Sequence, residues 1–316
     1  MAVVIPTFRR PHGLAALVTA LERQSFPASD FEVVMVDDCS GDGTVEHLRT
    51  LARATSLDLR VLGTASNEGP AAARNLGWKH SGAEVVAFLD DDCMPESTWL
   101  EEGVAAVRSG PHLGVVQGRT TAPEGTTVRG LNDWWLWRII ERPSPYFEAC
   151  NIFYRRRALD VAGGFEEEPG WWGWFGEDTA AGWGVVDHGW ERGFAAGAVV
   201  VHGLERRGWR WFATIGLREE NFVRLATRHP GFRAEAFWRP WAYRRSDAAF
   251  VAALAGLVAA RWWWPALGTA LPYLWLQRPS VRRPGFFRLC WQIPAVDAAR
   301  LVGHLTGSLR YRTLVV

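Results

Sequence analysis

Four times in the first third of the chain a short apolar run is followed by a stretch with helical patterning. The pairs are residues 3–5 then 13–24, 32–36 then 44–54, 57–62 then 70–80, and 85–89 then 96–108. Strand-length runs alternating with helix-length segments predict βαβ units, hence an α/β fold with a mainly parallel sheet flanked by helices. Open sheets of this kind bind ligands beyond the carboxyl ends of their strands. Pro6-Thr7-Phe8, Asp37-Asp38-Cys39-Ser40 and Asp90-Asp91-Asp92 all fall there.

The acidic triplet is the strongest chemical signal. Asp serves well at the turn before Pro95, but three adjacent carboxylates repel one another unless a cation neutralises them. Mg²⁺ and Mn²⁺ prefer oxygen ligands and usually bridge substrate phosphates. The triplet therefore points to a metal-bound diphosphate.

At 316 residues the chain has room for one large α/β domain and an appendage. A formal net charge of +1 argues against a nucleic-acid partner, which calls for a basic excess. Cys39, Cys93, Cys150 and Cys290 are far apart, without zinc-finger spacing, which fits a reducing compartment. Met1 leads straight into Ala2-Val3-Val4-Ile5-Pro6, without the basic start and longer apolar stretch of a signal peptide, so a cytoplasmic location is expected.

Tryptophan is enriched, at 19 residues, in clusters at 134–137, 171–174 and 262–264. Indoles serve sugar stacking, cores and membrane interfaces alike. Residues 248–260 are wholly apolar or Gly, and Arg261 and Trp262-Trp263-Trp264-Pro265 separate them from 266–276. The first run is short of the ~20 residues a span needs. Two short helices broken at Arg261 and Pro265 and dipping into one leaflet fit better, with Arg239, Arg244, Arg245, Arg278, Arg282, Arg283 and Arg288 alongside. A buried hairpin or an oligomer contact is the alternative. The expected organisation is a domain over 1–232 and a helical region over 233–316 with an apolar hairpin near 248–276.

Four segments in order, Val4-Ile5-Pro6-Thr7-Phe8-Arg9-Arg10, Val36-Asp37-Asp38-Cys39-Ser40-Gly41-Asp42-Gly43-Thr44, Asn67-Glu68-Gly69-Pro70-Ala71-Ala72-Ala73-Arg74-Asn75 and Phe88-Leu89-Asp90-Asp91-Asp92, are followed by Asn151, Gly163-Gly164-Phe165, Glu177-Asp178 and His202. Over roughly residues 2–230 this set resembles the family 2 glycosyltransferases, which have the GT-A fold. The resemblance implies inverting transfer of a sugar from a nucleotide diphosphate donor, UDP by default, with Mn²⁺ or Mg²⁺ on the diphosphate. It places Asp38 on the nucleoside, Pro6, Thr7 and Arg9 around the base, and Asn67 and Arg74 as further donor-site residues. An isolated Arg such as Arg74 is more commonly a helix-surface ion pair.

Within the triplet, Asp90 and Asp92 correspond to the outer carboxylates of an Asp-x-Asp motif. Asp92 is the expected metal contact and Asp90 a ribose or metal-water contact, with Asp91 able to take either task according to strand register. His202 matches a third metal contact. Asp178 is the expected catalytic base, with Glu177 orienting the acceptor, although acidic residues also favour any first helical turn. Where relatives follow this pair with Leu and Arg, Ala181 and Gly184 stand here, implying a remodelled acceptor side. Asn151, Trp171, Trp172 and Trp174 are the acceptor-side candidates. The acceptor implied is a lipid-linked or cell-envelope glycan at the inner membrane face. A sugar nucleotidyltransferase is the alternative enzyme, but Arg9-Arg10-Pro11-His12-Gly13 makes a poor nucleotide loop; a non-catalytic sugar-binding protein is the other.

Overall fold

The computed structural model describes residues 1–126, 135–136, 138–168, 170, 173, 175–277 and 286–316, with the backbone alone at 135, 136 and 286–289. It forms two compact units. One comprises Met1–Thr126, Trp137–Glu168 and Glu177–Leu204; the other comprises Thr127–Leu136, Pro169–Gly176 and Glu205–Val316.

The first unit opens with β1 (Ala2–Thr7), α1 (Leu14–Glu22), β2 (Glu32–Asp37), α2 (Thr44–Ala54), β3 (Asp58–Gly63), α3 (Pro70–His80) and β4 (Val85–Leu89). Next come β5 (Cys93–Pro95), α4 (Trp99–Arg108) and β6 (Leu113–Thr121); β7 (Trp135–Leu136) belongs to the second unit. Then follow β8 (Asn151–Arg155), α5 (Arg156–Ala162), α6 (Glu177–Asp187) and β9 (Glu191–His202). The sheet runs β3-β2-β1-β4-β8-β6-β9-β5. The first four strands are parallel, as the alternation predicts. The sheet is more mixed beyond them, because β8 enters antiparallel between β4 and β6, and β5 closes the edge antiparallel to β9.

Strands β1, β2 and β4 read as continuous apolar runs because helices cover both of their faces. Helix α3 begins with Pro70, whose fixed φ suits a first turn. It packs closely on the sheet: a Cβ at Gly77 would stand 2.4 Å from Val4 Cγ1. This close seat brings Arg74 beneath the ends of the strands.

In the second unit, β10 (Glu205–Arg206) pairs with β7. Helices α7 (Trp209–Arg218), α8 (Glu220–Arg228), α9 (Pro230–Ala236), α10 (Arg245–Ala259), α11 (Leu271–Leu276) and α12 (Phe286–Tyr311) complete it. The unit's longest segment runs from Glu205, and within it α7 and α8 pack along α12. Gly216 and Gly303 permit that contact; a Cβ on Gly303 would lie 2.5 Å from the Gly216 carbonyl. Buried Glu219 accepts hydrogen bonds from Arg244 at 3.0 Å and His304 at 3.1 Å. Against the upward push of burial, Arg244, His304 and Arg300 hold its carboxyl down to about 2.

The apolar region near 248–276 is broken as expected. Helix α10 ends at Ala259, and a 3₁₀ turn over Trp264–Ala270 leads into α11. Ala249, Phe250, Ala253 and Tyr273 form its small core. The opposite face is open: Leu257, Val258, Leu271, Leu274 and Trp275 are exposed, and Trp262, Trp263 and Trp264 are 76%, 66% and 77% exposed. No helix among the described residues is long and apolar enough to cross a membrane. Arg278, Arg282 and Arg283 lie outside the described residues, as does the side chain of Arg288.

Candidate active site

Three turns meet at the carboxyl ends of β1, β2 and β4. After β1, Arg9 takes a left-handed φ of 51°, and its N–H donates to Ser40 Oγ at 2.8 Å while Nε donates to the Ser40 carbonyl. Pro6 is half-buried at the end of β1, in register with Val36. After β2, Asp37 accepts from both the N–H and the hydroxyl of Ser40, which closes the turn. Strain is concentrated here too, since Cys39 has φ 56°.

Asp38 faces the 64–69 loop. Oδ1 accepts from Thr64 Oγ1 at 2.7 Å and Glu68 N at 2.9 Å; Oδ2 accepts from Gly69 N at 2.8 Å and Asn67 Nδ2 at 3.1 Å. A carboxylate offers about four acceptor positions, so this loop fills them all. Asn67 and Asp38 thus form one hydrogen-bonded unit, and a ligand reaching Asp38 must displace a bond, the Asn67 contact being the longest of the four.

The three triplet carboxylates diverge. Asp90 accepts from Arg74 Nη2 at 2.9 Å. Asp91 accepts from Thr7 Oγ1 at 2.6 Å and lies 3.4 Å from Arg10 Nε. Asp92 lies 3.0 Å from Arg10 Nη1. Burial pushes the Asp91 carboxyl up to about 6, against the Thr7 hydrogen bond and the Arg10 charge. Arg10, which no local sequence signal marks for this task, is the side chain that neutralises this end of the triplet.

The group of described residues able to hold a metal ion is Asp92, Cys93 and His202, whose ligand atoms lie within 4.8 Å of one another. His202 Nε2 is 3.8 Å from Asp92 Oδ1. His202 Nδ1 sits 2.7 Å from the Gly203 carbonyl, which can only accept; Nδ1 therefore carries the hydrogen and Nε2 is left as a ligand atom. This donor chemistry fits a divalent ion. Asp90, expected as a ribose or metal-water contact, is not in the group and pairs with Arg74.

Arg74 is buried, not on a helix surface. Besides Asp90 it donates from Nη1 to Glu177 Oε1 at 3.1 Å, joining the triplet to the start of α6. That bridge spans 103 residues and has no local sequence signal. Beside it, Asp178 Oδ1 accepts from Thr179 N at 2.7 Å, and Oδ2 lies 3.4 Å from Ala149 N. Burial and the like charge of Glu177 push the Asp178 carboxyl up to about 7, with Arg74 opposing.

Asn151 requires a correction. It is fully buried, accepts from Trp99 Nε1 at 2.8 Å, and donates to the carbonyls of Arg119 and Ala198 at 2.8 and 2.9 Å. It braces the strands instead of facing an acceptor, and Gly118 makes room for it. Trp171, Trp172 and Trp174 lie outside the described residues.

Comparison with known proteins identifies the family and the fold. The model of "Glycosyl transferase family 2" matches residues 2–165. Glycosyltransferase AglE of Haloferax volcanii is 36% identical over 130 residues, 40% of this chain and 42% of that protein. The pre-mycofactocin glycosyltransferase of Mycobacterium tuberculosis is 27% identical over 245 residues, 73% of this chain and 48% of the relative. The chain thus spans less than half the length of these curated relatives. Among solved structures, the mannosyltransferase PcManGT from Pyrobaculum calidifontis, in complex with GDP-Man and Mn²⁺, aligns with a TM-score of 0.71 at 21% identity, covering 96% of this chain and 86% of that one. Staphylococcus aureus TarS 1-349 in complex with UDP-GlcNAc gives a TM-score of 0.51 at 20% identity, covering 99% and 92%. These two likenesses are of fold. The family match covers more than half of the chain, which belongs to glycosyl transferase family 2.

Proposed function

We propose that this chain is an inverting transferase that moves a sugar from a nucleotide diphosphate sugar to a hydroxyl of a lipid-linked or cell-envelope glycan. The observation that carries the reading is Arg74, which holds a donor-side carboxylate, Asp90, and an acceptor-side carboxylate, Glu177, in one frame.

In this reading Pro6, Thr7, Arg9 and the Asp38–Asn67 unit shape the nucleoside pocket. Asp92 and His202 would hold Mn²⁺ or Mg²⁺, which when bound offsets charge on the leaving diphosphate. Asp178 takes the acceptor proton as the hydroxyl oxygen attacks from the face opposite the diphosphate. Its raised pKa suits that task, because a base poised near neutrality combines ionisation with proton affinity. Glu177 orients the acceptor, and Trp171, Trp172 and Trp174 remain acceptor candidates on their chemistry alone, since indoles suit sugar rings and lipid chains.

The open face of the second unit supports docking to a membrane surface. Its three exposed indoles and Arg261 suit the headgroup boundary, and its short apolar helices suit lying in one leaflet.

The test incubates the protein with UDP- and GDP-sugars and Mn²⁺. Slow release of nucleoside diphosphate and a metal-dependent thermal shift are expected. Release of pyrophosphate, or no turnover with any donor, would refute the transferase reading.

A further inference from the structure

We propose that Cys93 is a third ligand at the Asp92–His202 centre, so that its oxygen, nitrogen and sulfur donors bind a borderline ion such as Zn²⁺ or Co²⁺ more tightly than Mg²⁺. The inference rests on the metal reading above and deepens it. Cys93 and His202 are directly opposed across the antiparallel β5–β9 pair, which puts their side chains on the same face of the sheet. Cys93 Sγ lies 3.8 Å from Asp92 Oδ1, the same oxygen that lies 3.8 Å from His202 Nε2.

A tetrahedral ion with ligands at roughly 2.0–2.3 Å holds them roughly 3–4 Å apart. Two of the three separations here already fall in that range. The hydrogen bond from His202 Nδ1 to Gly203 fixes the ring with Nε2 available. Asp92 keeps part of its surface open, giving an ion a way in and a fourth position for a substrate oxygen. Mg²⁺ gives up its waters reluctantly and favours oxygen, whereas thiolate favours softer ions. Binding through sulfur releases the thiol proton to solvent.

The experiment titrates Co²⁺ into the full chain carrying Cys39→Ser and Cys290→Ser, which removes the exposed thiols. A thiolate-to-cobalt charge-transfer band in the near ultraviolet is expected. It should vanish in Cys93→Ser and persist in Cys150→Ser. Zn²⁺ affinity should fall in Cys93→Ser by at least the roughly 10–100-fold that loss of an outer partner causes, with Mg²⁺ affinity unchanged. Cobalt bound without the band, or undiminished Zn²⁺ affinity in Cys93→Ser, overturns the proposal while leaving the Asp92–His202 reading in place. Cobalt and manganese both failing to bind, or binding unaffected by Asp92→Asn and His202→Ala, overturns that reading and the proposal with it. Cys93→Ala is measured in parallel; if neither Cys93 variant folds, the band in the Cys150→Ser chain decides, its presence supporting sulfur ligation and its absence overturning it.

Discussion

Asp178 and Glu177 are adjacent in sequence but differ in their surroundings. Glu177 is neutralised by Arg74, whereas Asp178 carries the raised pKa. Asp178→Asn should therefore lower transfer by roughly 10²–10⁴-fold with donor affinity little changed. If Glu177→Gln abolishes transfer and Asp178→Asn does not, the roles are reversed. Because the base works ionised and its folded pKa lies above the usual carboxylate range, kcat/KM should rise with pH through about 7. A profile without an inflection near neutrality would assign the proton to another group. Arg10 permits a further test at this scale: it occupies the cation's side of Asp91 and Asp92, so Arg10→Gln should tighten Mn²⁺ binding severalfold in calorimetry. Weaker binding would mean that Arg10 assists the ion instead of competing with it.

At the scale of elements, the seat of α3 on β1 is the sensitive joint. Gly77→Ala forces a methyl group against Val4 and should destabilise by about 1–3 kcal/mol. Gly82→Ala, with open space around it, should change chemical denaturation little, and equal losses in the two variants would contradict the packing argument. Strands β1, β2 and β4 were legible in the sequence because strands covered on both faces announce themselves as unbroken apolar runs, whereas the edge strand β3, with exposed Asp58 and Arg60, was legible only by its place in the alternation. The three-residue β5 has too little length to show a period, and its pairing with β9 is non-local. The antiparallel entry of β8 between β4 and β6 is likewise set by distant partners. Within the site, the triplet and the Glu-Asp pair were legible because clustered charge needs a reason. Arg74 as their bridge was not, since nothing near Arg74 in sequence marks Glu177. Asn151 misled because a polar residue near a motif invites a binding role, although satisfied polar groups also belong in cores.

On the scale of the whole molecule, the described chain divides its chemistry. The acidic site is built in the first unit, whereas the open aromatic face belongs to the second. Replacing Trp262, Trp263 and Trp264 by Ser should move the protein from vesicle-bound to free in sedimentation with anionic vesicles, while donor hydrolysis in solution is retained. Unchanged sedimentation would assign this face to another partner.

The four bonds gathered by Asp38 have a practical consequence for mutagenesis. An Asp→Asn exchange is usually chosen because it removes charge and keeps shape, but it also turns one acceptor atom into a donor. At position 38 either orientation of the amide fails. With its NH₂ on one side it confronts the Glu68 N–H, and on the other the N–H of Gly69 and the amide of Asn67. Donor then faces donor inside a buried turn, and the 64–69 loop must open. Loss of nucleotide binding in Asp38→Asn would thus report a broken loop as readily as a lost contact, whereas Asn67→Ala leaves the two backbone bonds intact and is the cleaner probe of that pocket.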